Sequence, residues 1–177
     1  MKKKLFNVIH LLVGICIVIS KIADAHDGQV NITGSIQSNT CIVDTDSKNM
    51  TVSMGSVSSK QFYEAGATSA AQKFTIKLIK CGDAATAVKV TFRGTSDGRD
   101  PRLLALDGGT GSASGMGIAI LDLNRQPVAL NTQSVNYAIT PGALTVSLDF
   151  YAEYKANGAA VNAGDANATA TFVLDYA

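Results

Sequence analysis

The chain has 177 residues, 46% of them hydrophobic and 16% charged, with a formal charge of +1. That length and apolar content suit a single domain with a real core. The near-neutral balance argues against nucleic acid or an anionic membrane as partner.

Lys2, Lys3 and Lys4 open the chain, followed by an apolar stretch over residues 5–20 and by Ala23-Asp24-Ala25. A basic start, a short apolar core and an A-x-A site predict a secretory signal peptide over residues 1–25. Asn7 and His10 interrupt the stretch, which is also short for a membrane span. Bulky Ile15 before Cys16 argues against a lipoprotein anchor. Cleavage after Ala25 leaves 152 residues beginning at His26. It removes four lysines and Asp24, which turns the formal charge from +1 to −2.

The first alternating run is Val30, Ile32, Gly34 and Ile36 against Asn31, Thr33 and Ser35. Cys41 follows, and with Cys81 it forms an even pair in an exported chain, which reads as a disulfide. "DTDSKN" over residues 44–49 starts like a calcium loop, but Lys48 stands at a ligand position and no glycine follows. Met50, Val52 and Met54 then alternate with Thr51 and Ser53. "SSKQFYEAGATSAAQ" shows no clear period and could hold a short helical turn.

Phe74, Ile76 and Leu78 form the next run, and Val88, Val90 and Phe92 another. Turn-rich "GTSDGRDPR" places Asp97 and Asp100 in a solvated polar turn, and Gly-rich "GGTGSASGMG" reads as a flexible surface loop. The latter matches no phosphate-binding pattern and opens no helix. The longest run is Leu144, Val146, Leu148, Phe150, Ala152 and Tyr154. The last is "ATATFVLDYA", with Ala168, Ala170, Phe172, Leu174 and Tyr176 on one face. Short strands with one apolar face each predict an all-β, antiparallel two-sheet sandwich.

The search for chemistry finds none. After cleavage one histidine, His26, is left, so the usual triads and histidine metal sites are missing. The expectation is a protein that is not an enzyme and has no metal, no other cofactor and no catalytic residue. The final strand has nothing after it to cover its second edge, and open edges invite association.

Several features together resemble the pilin subunits of chaperone–usher fimbriae. They are the signal peptide, the alternating extension with Gly34, the Cys41 and Cys81 pair, and Gly164 thirteen residues before the end with penultimate Tyr176. Within that family, "AVKVTFRG", "LLAL", "SASGMGIAIL" and "NATATFVLDY" are most similar to the minor tip-adaptor subunit of type 1 fimbriae.

The resemblance implies an incomplete immunoglobulin-like sandwich over residues 39–177 that lacks its last strand. It implies a donor-strand extension over residues 26–38, with Val30, Ile32, Gly34 and Ile36 entering a neighbour's groove. It assigns Gly164, Ala170, Phe172, Leu174, Tyr176 and Ala177 to the acceptor groove and to chaperone recognition. The implied partners are a periplasmic pilus chaperone, an outer-membrane usher, and neighbouring subunits including an adhesin or adaptor. The implied route runs through the periplasm to a cell-surface fimbrium that supports bacterial adhesion. A major shaft subunit, or a single-domain carbohydrate-binding adhesin, are the alternative readings.

Overall fold

Strand β2 (Gln72–Ile79) shows how the sequence period becomes a packed face. Ile76 and Leu78 point inward and are fully buried, while Lys73 and Lys77 point to solvent. The computed structural model in which this is seen describes residues 30–177, so the leader expected over residues 1–25 and positions 26–29 of the extension lie outside the described residues.

Strand β1 (Ile42–Val43) pairs with β2, and a four-residue helix, α1 (Thr45–Lys48), follows it. The calcium-like "DTDSKN" is thus a capped turn: the Asp44 carboxylate accepts from Asp46 N, and buried Ser47 Oγ accepts from Lys77 N. A single 3₁₀ turn (Ser59–Gln61) is what the aperiodic segment before β2 holds.

The remaining strands are β3 (Ala87–Arg93), β4 (Leu104–Ala105), β5 (Met116–Leu121), β6 (Pro127–Val128), β7 (Tyr137–Ala138), β8 (Thr145–Ala156) and β9 (Thr171–Tyr176). The larger sheet runs β1-β2-β8-β5-β4, with β6 also paired to β5, and the smaller runs β7-β3-β9. Every named pair is antiparallel. The two-sheet sandwich expected from the alternation is the observed architecture.

Register aligns the apolar faces. Phe74 lies opposite Phe150 and Ile76 opposite Leu148 in the larger sheet. Phe92 lies opposite Phe172 and Val90 opposite Leu174 in the smaller. Four rings then join the two layers: Phe92 meets Phe150 edge-on at 4.9 Å, Phe74 stacks on Phe150 at 5.7 Å, and Tyr137 tilts against Phe150 at 5.2 Å. Such pairs add about 0.5–1.5 kcal/mol beyond their area. Phe150 is therefore the hub of the core. At one end of the sandwich a disulfide joins Cys41, just before β1, to Cys81, just after β2.

Four expectations need correction. Leu144 falls outside the β8 ladder; its carbonyl accepts from Lys80 N and its side chain is 82% exposed. The Gly-rich loop is not loose, because Ala113 N donates to Asp165 O, Asp165 N to Gly111 O, and Ser114 exchanges bonds with Asn162. Its last two residues, Met116 and Gly117, already belong to buried β5. Asp97 and Asp100 are also structural. Asp97 accepts from Arg99 N, Asp100 N and Asn157 Nδ2, and Asp100 holds Arg102 through both carboxylate oxygens.

The fourth correction positions the site. Met50, Val52 and Met54 are half-buried and alternate with exposed Thr51 and Ser53, as a strand would. Yet residues 50–55 belong to neither sheet and make no backbone hydrogen bond among the described residues. A hollow of about 580 Å³ lies between them and the edge of β2, and they also line a wider groove.

Candidate functional site

Strand β9 is bonded to β3 along one side and to no strand on the other among the described residues. Ala177 N donates to Ala87 O, so the ladder's alternation fixes which groups face which way. The N–H and C=O of Thr171, Val173 and Asp175 face β3. Those of Phe172, Leu174 and Tyr176 face the open side, and the side chains of the same three residues turn inward and are half-buried. An incoming strand would find backbone partners and apolar side chains together.

Beside this edge runs a groove of about 700 Å³. One wall is the unbonded segment with Met50, Val52 and Met54, and the other is Ala166, Ala168, Ala170 and Phe172. The floor is the exposed side of the core: Phe74, Ile76, Phe92, Ile118, Ile120 and Tyr154. The alanines give the wall small side chains, which leaves room for larger residues to enter. Tyr154 Oη donates to Ala166 O at 2.8 Å and holds that wall to the larger sheet. Among the described residues that line the groove, Asp107 is the one that carries a charge. Such a surface is suited to taking in an apolar segment.

The expected site residues are distributed unevenly. Ala170 and Phe172 line the groove, and Leu174 and Tyr176 continue its strand toward the disulfide end. Tyr176 Oη donates to Cys41 O at 3.3 Å, and burial pushes its hydroxyl pKa up. The Ala177 carbonyl accepts from Thr86 N and Thr86 Oγ1. Val30 and Ile32 are 85% and 93% exposed, Ile36 is fully exposed, and Gly34 has open space around it. None of these four belongs to a strand.

Gly164 lies outside the groove lining. It sits flush on the Gly-rich loop, where a Cβ would collide with the backbone of Gly111, Ser112 and Ala113. Backbone cannot rotate away as a side chain can. Gly164→Ala is therefore expected to cost about 1–3 kcal/mol, seen as a lower urea midpoint with an unchanged slope.

Sequence reasoning missed the Met50, Val52 and Met54 wall and the roles of Ala166 and Ala168. The alternation of the first set was visible; that its backbone is left unbonded was not. No helix among the described residues is long and apolar enough to cross a membrane.

Comparison with known proteins agrees with this geometry. The family model described as "Fimbrial protein" matches residues 30–177. The chain is 44% identical over 147 residues to the S-fimbrial protein subunit SfaG of Escherichia coli O6:K15:H31, spanning 83% of this chain and 82% of that one. It is 38% identical over 152 residues to the type-1 fimbrial protein, A chain, of Escherichia coli, spanning 84% and 82%. A chain from a solved chaperone–usher pilus has the same fold, with a TM-score of 0.65 at 24% identity over 85% of this chain and 95% of that one. These relatives are fimbrial subunits rather than enzymes, and subunits of this kind assemble with one another into surface pili. The chain belongs to the fimbrial protein family, as a pilin with the immunoglobulin-like fold of chaperone–usher pili.

Proposed function

We propose that the protein is a minor adaptor subunit near the fimbrial tip and polymerises by donor-strand exchange. The observation that carries the donor-strand reading is the open edge of β9 beside an apolar groove, in a chain that also bears an exposed apolar extension, while the adaptor role rests on the sequence resemblance. Residues 1–25 direct export to the periplasm and are removed. Residues 26–38 form the donor strand, and residues 39–177 form the domain that accepts one. A periplasmic chaperone fills the groove first, with Gly164 and the terminal residues through Ala177 in the region it reads. At the outer-membrane usher, a neighbouring subunit's extension replaces the chaperone's strand. Backbone pairing to β9 supplies reach, and alternate side chains set the register.

Both halves of the joint repeat every two residues. Val30, Ile32, Gly34 and Ile36 occupy four alternate positions, as do Ala166, Ala168, Ala170 and Phe172 on the groove wall. The extension thus has large side chains where a wall of this type has small ones. At Gly34, a neighbour's backbone or a bulky groove residue can come close.

A second reading, a shaft subunit, is favoured by the 38% identity to the type-1 A chain. Subunit stoichiometry in purified fimbriae separates the two, since a shaft subunit would dominate the fibre.

The donor role is tested by Ile32→Ala in chaperone-bound subunits mixed with an acceptor pilin. Losing three buried carbons at about 0.8 kcal/mol each should weaken the joint by roughly 2–3 kcal/mol. The measured quantities are yield of the strand-exchanged dimer and its dissociation rate, with chaperone binding unchanged. Equal dimer yield and lifetime from both proteins would remove the extension from the joint.

A further inference from the structure

One exposed apolar feature has no part in the groove or the extension. It lies at the end of the sandwich where the extension leaves. Ser38 O accepts from Ala84 N at 3.0 Å, and Thr40 O accepts from Gly82 N at 2.9 Å. The chain is therefore pinned to the body from Ser38 onward. Gly82 permits this close approach, because a Cβ there would collide with the Ser38 backbone. Gln37 alone separates pinned Ser38 from fully exposed Ile36. Those two residue steps span at most about 7 Å.

Two large exposed apolar residues lie toward this end of the larger sheet. Leu144 is 82% exposed and Ile42 is 53% exposed. Cys81, bonded to Cys41, donates its N–H to Ala143 O, and Lys80 N donates to Leu144 O. Ile42 is in register with Ile79, which is itself in register with Thr145, the neighbour of Leu144. The root of the extension and the two exposed side chains are thus joined by one short hydrogen-bond network.

We propose that Leu144 and Ile42 form a docking face for the body of the pilin subunit whose groove holds this chain's residues 30–36. The proposal rests on the donor-strand reading above. Whatever buries Ile36 must reach to within about 7 Å of Ser38, because the tether has no slack. The acceptor body is brought against this end, which presents apolar side chains to it. Lys80, whose N–H donates to Leu144 O, and Asp83, whose carboxylate lies against Gly142, supply a polar border, the usual arrangement of an apolar contact with a polar rim. Burial of Leu144 and Ile42 would then help to fix the angle between successive subunits.

Photocrosslinking in assembled fimbriae tests this with the full chain. A benzophenone amino acid is placed at Leu144 in one strain and at Ile32 in another, and crosslinked products are identified by mass spectrometry. The expected result is a covalent dimer from each position with the same neighbouring pilin. Dimers from Ile32 without one from Leu144, or a Leu144 dimer with a different protein, overturn the docking face and leave the donor reading intact. No Ile32 dimer with any pilin overturns the donor reading, and the docking face falls with it.

Discussion

A peptide of residues 28–37 added to the chain lacking residues 26–36 is expected to raise its Tm by roughly 5–11 °C when present at about 100 times its Kd. The shift follows from mass action. A ligand of the folded state at that excess adds about 2.7 kcal/mol, and each kcal/mol moves a domain of this size by about 2–4 °C. The source of the binding energy is visible in the fold. The open-side N–H and C=O groups of Phe172, Leu174 and Tyr176 gain partners, and Val30, Ile32 and Ile36 leave water for an apolar groove. Each such side chain is worth roughly 1.5–3 kcal/mol when fully buried. The same peptide with Ile32→Asp should give no shift, because it would place an unpaired carboxylate in that apolar space. An adaptor can prefer another subunit's strand, so extension peptides from related pilins belong in the assay. A Tm that none of them moves would mean that β9 does not accept a donor.

Much of the sandwich was legible because four of its strands are longer than one alternation and bury one face. β2, β3, β8 and β9 all show that pattern, and their registers pair like with like. What escaped had physical reasons. β4, β6 and β7 are two residues long, too short to show a period. β5 is buried on both faces, since Leu103, Ala119 and Leu121 form a second cluster under Tyr151 and Ala71, so its residues do not alternate. The wall containing Met50 to Met54 alternates like any strand, yet among the described residues its backbone pairs with nothing on either side. Period reports which side chains turn inward; it is blind to whether a neighbour lies within bonding distance. The groove itself draws residues from positions 50 to 172, so no local pattern could have outlined it. The two terminal segments do alternate visibly, but the donor and acceptor roles proposed for them come from the family resemblance and not from the period.

Replacing both cysteines, Cys41→Ser with Cys81→Ser, is expected to lower stability by about 4 kcal/mol and Tm by roughly 8–16 °C. The chain-entropy argument needs only the 40-residue separation that the bond closes. The fold adds a consequence for the groove. Between Cys41 and the groove wall the chain is anchored by the two pairs of β1, by α1 and by Asp44 N on Lys77 O. The wall itself has no backbone bond of its own among the described residues. The Cys41 carbonyl also accepts from Tyr176 at the far end of β9, so the disulfide ties the start of one wall to the end of the other. Loss of the bond should therefore weaken peptide binding as well as global stability. The groove would have to be reassembled at each binding event, and ordering a loosened segment costs about 1–2 kcal/mol per residue fixed. Hydrogen exchange should quicken at residues 42–48, whose bonds anchor that wall. If Tm falls while peptide affinity at low temperature stays unchanged, the wall is held by the packing of Met50, Val52 and Met54 alone. In that event the disulfide acts on the unfolded chain and not on the acceptor site.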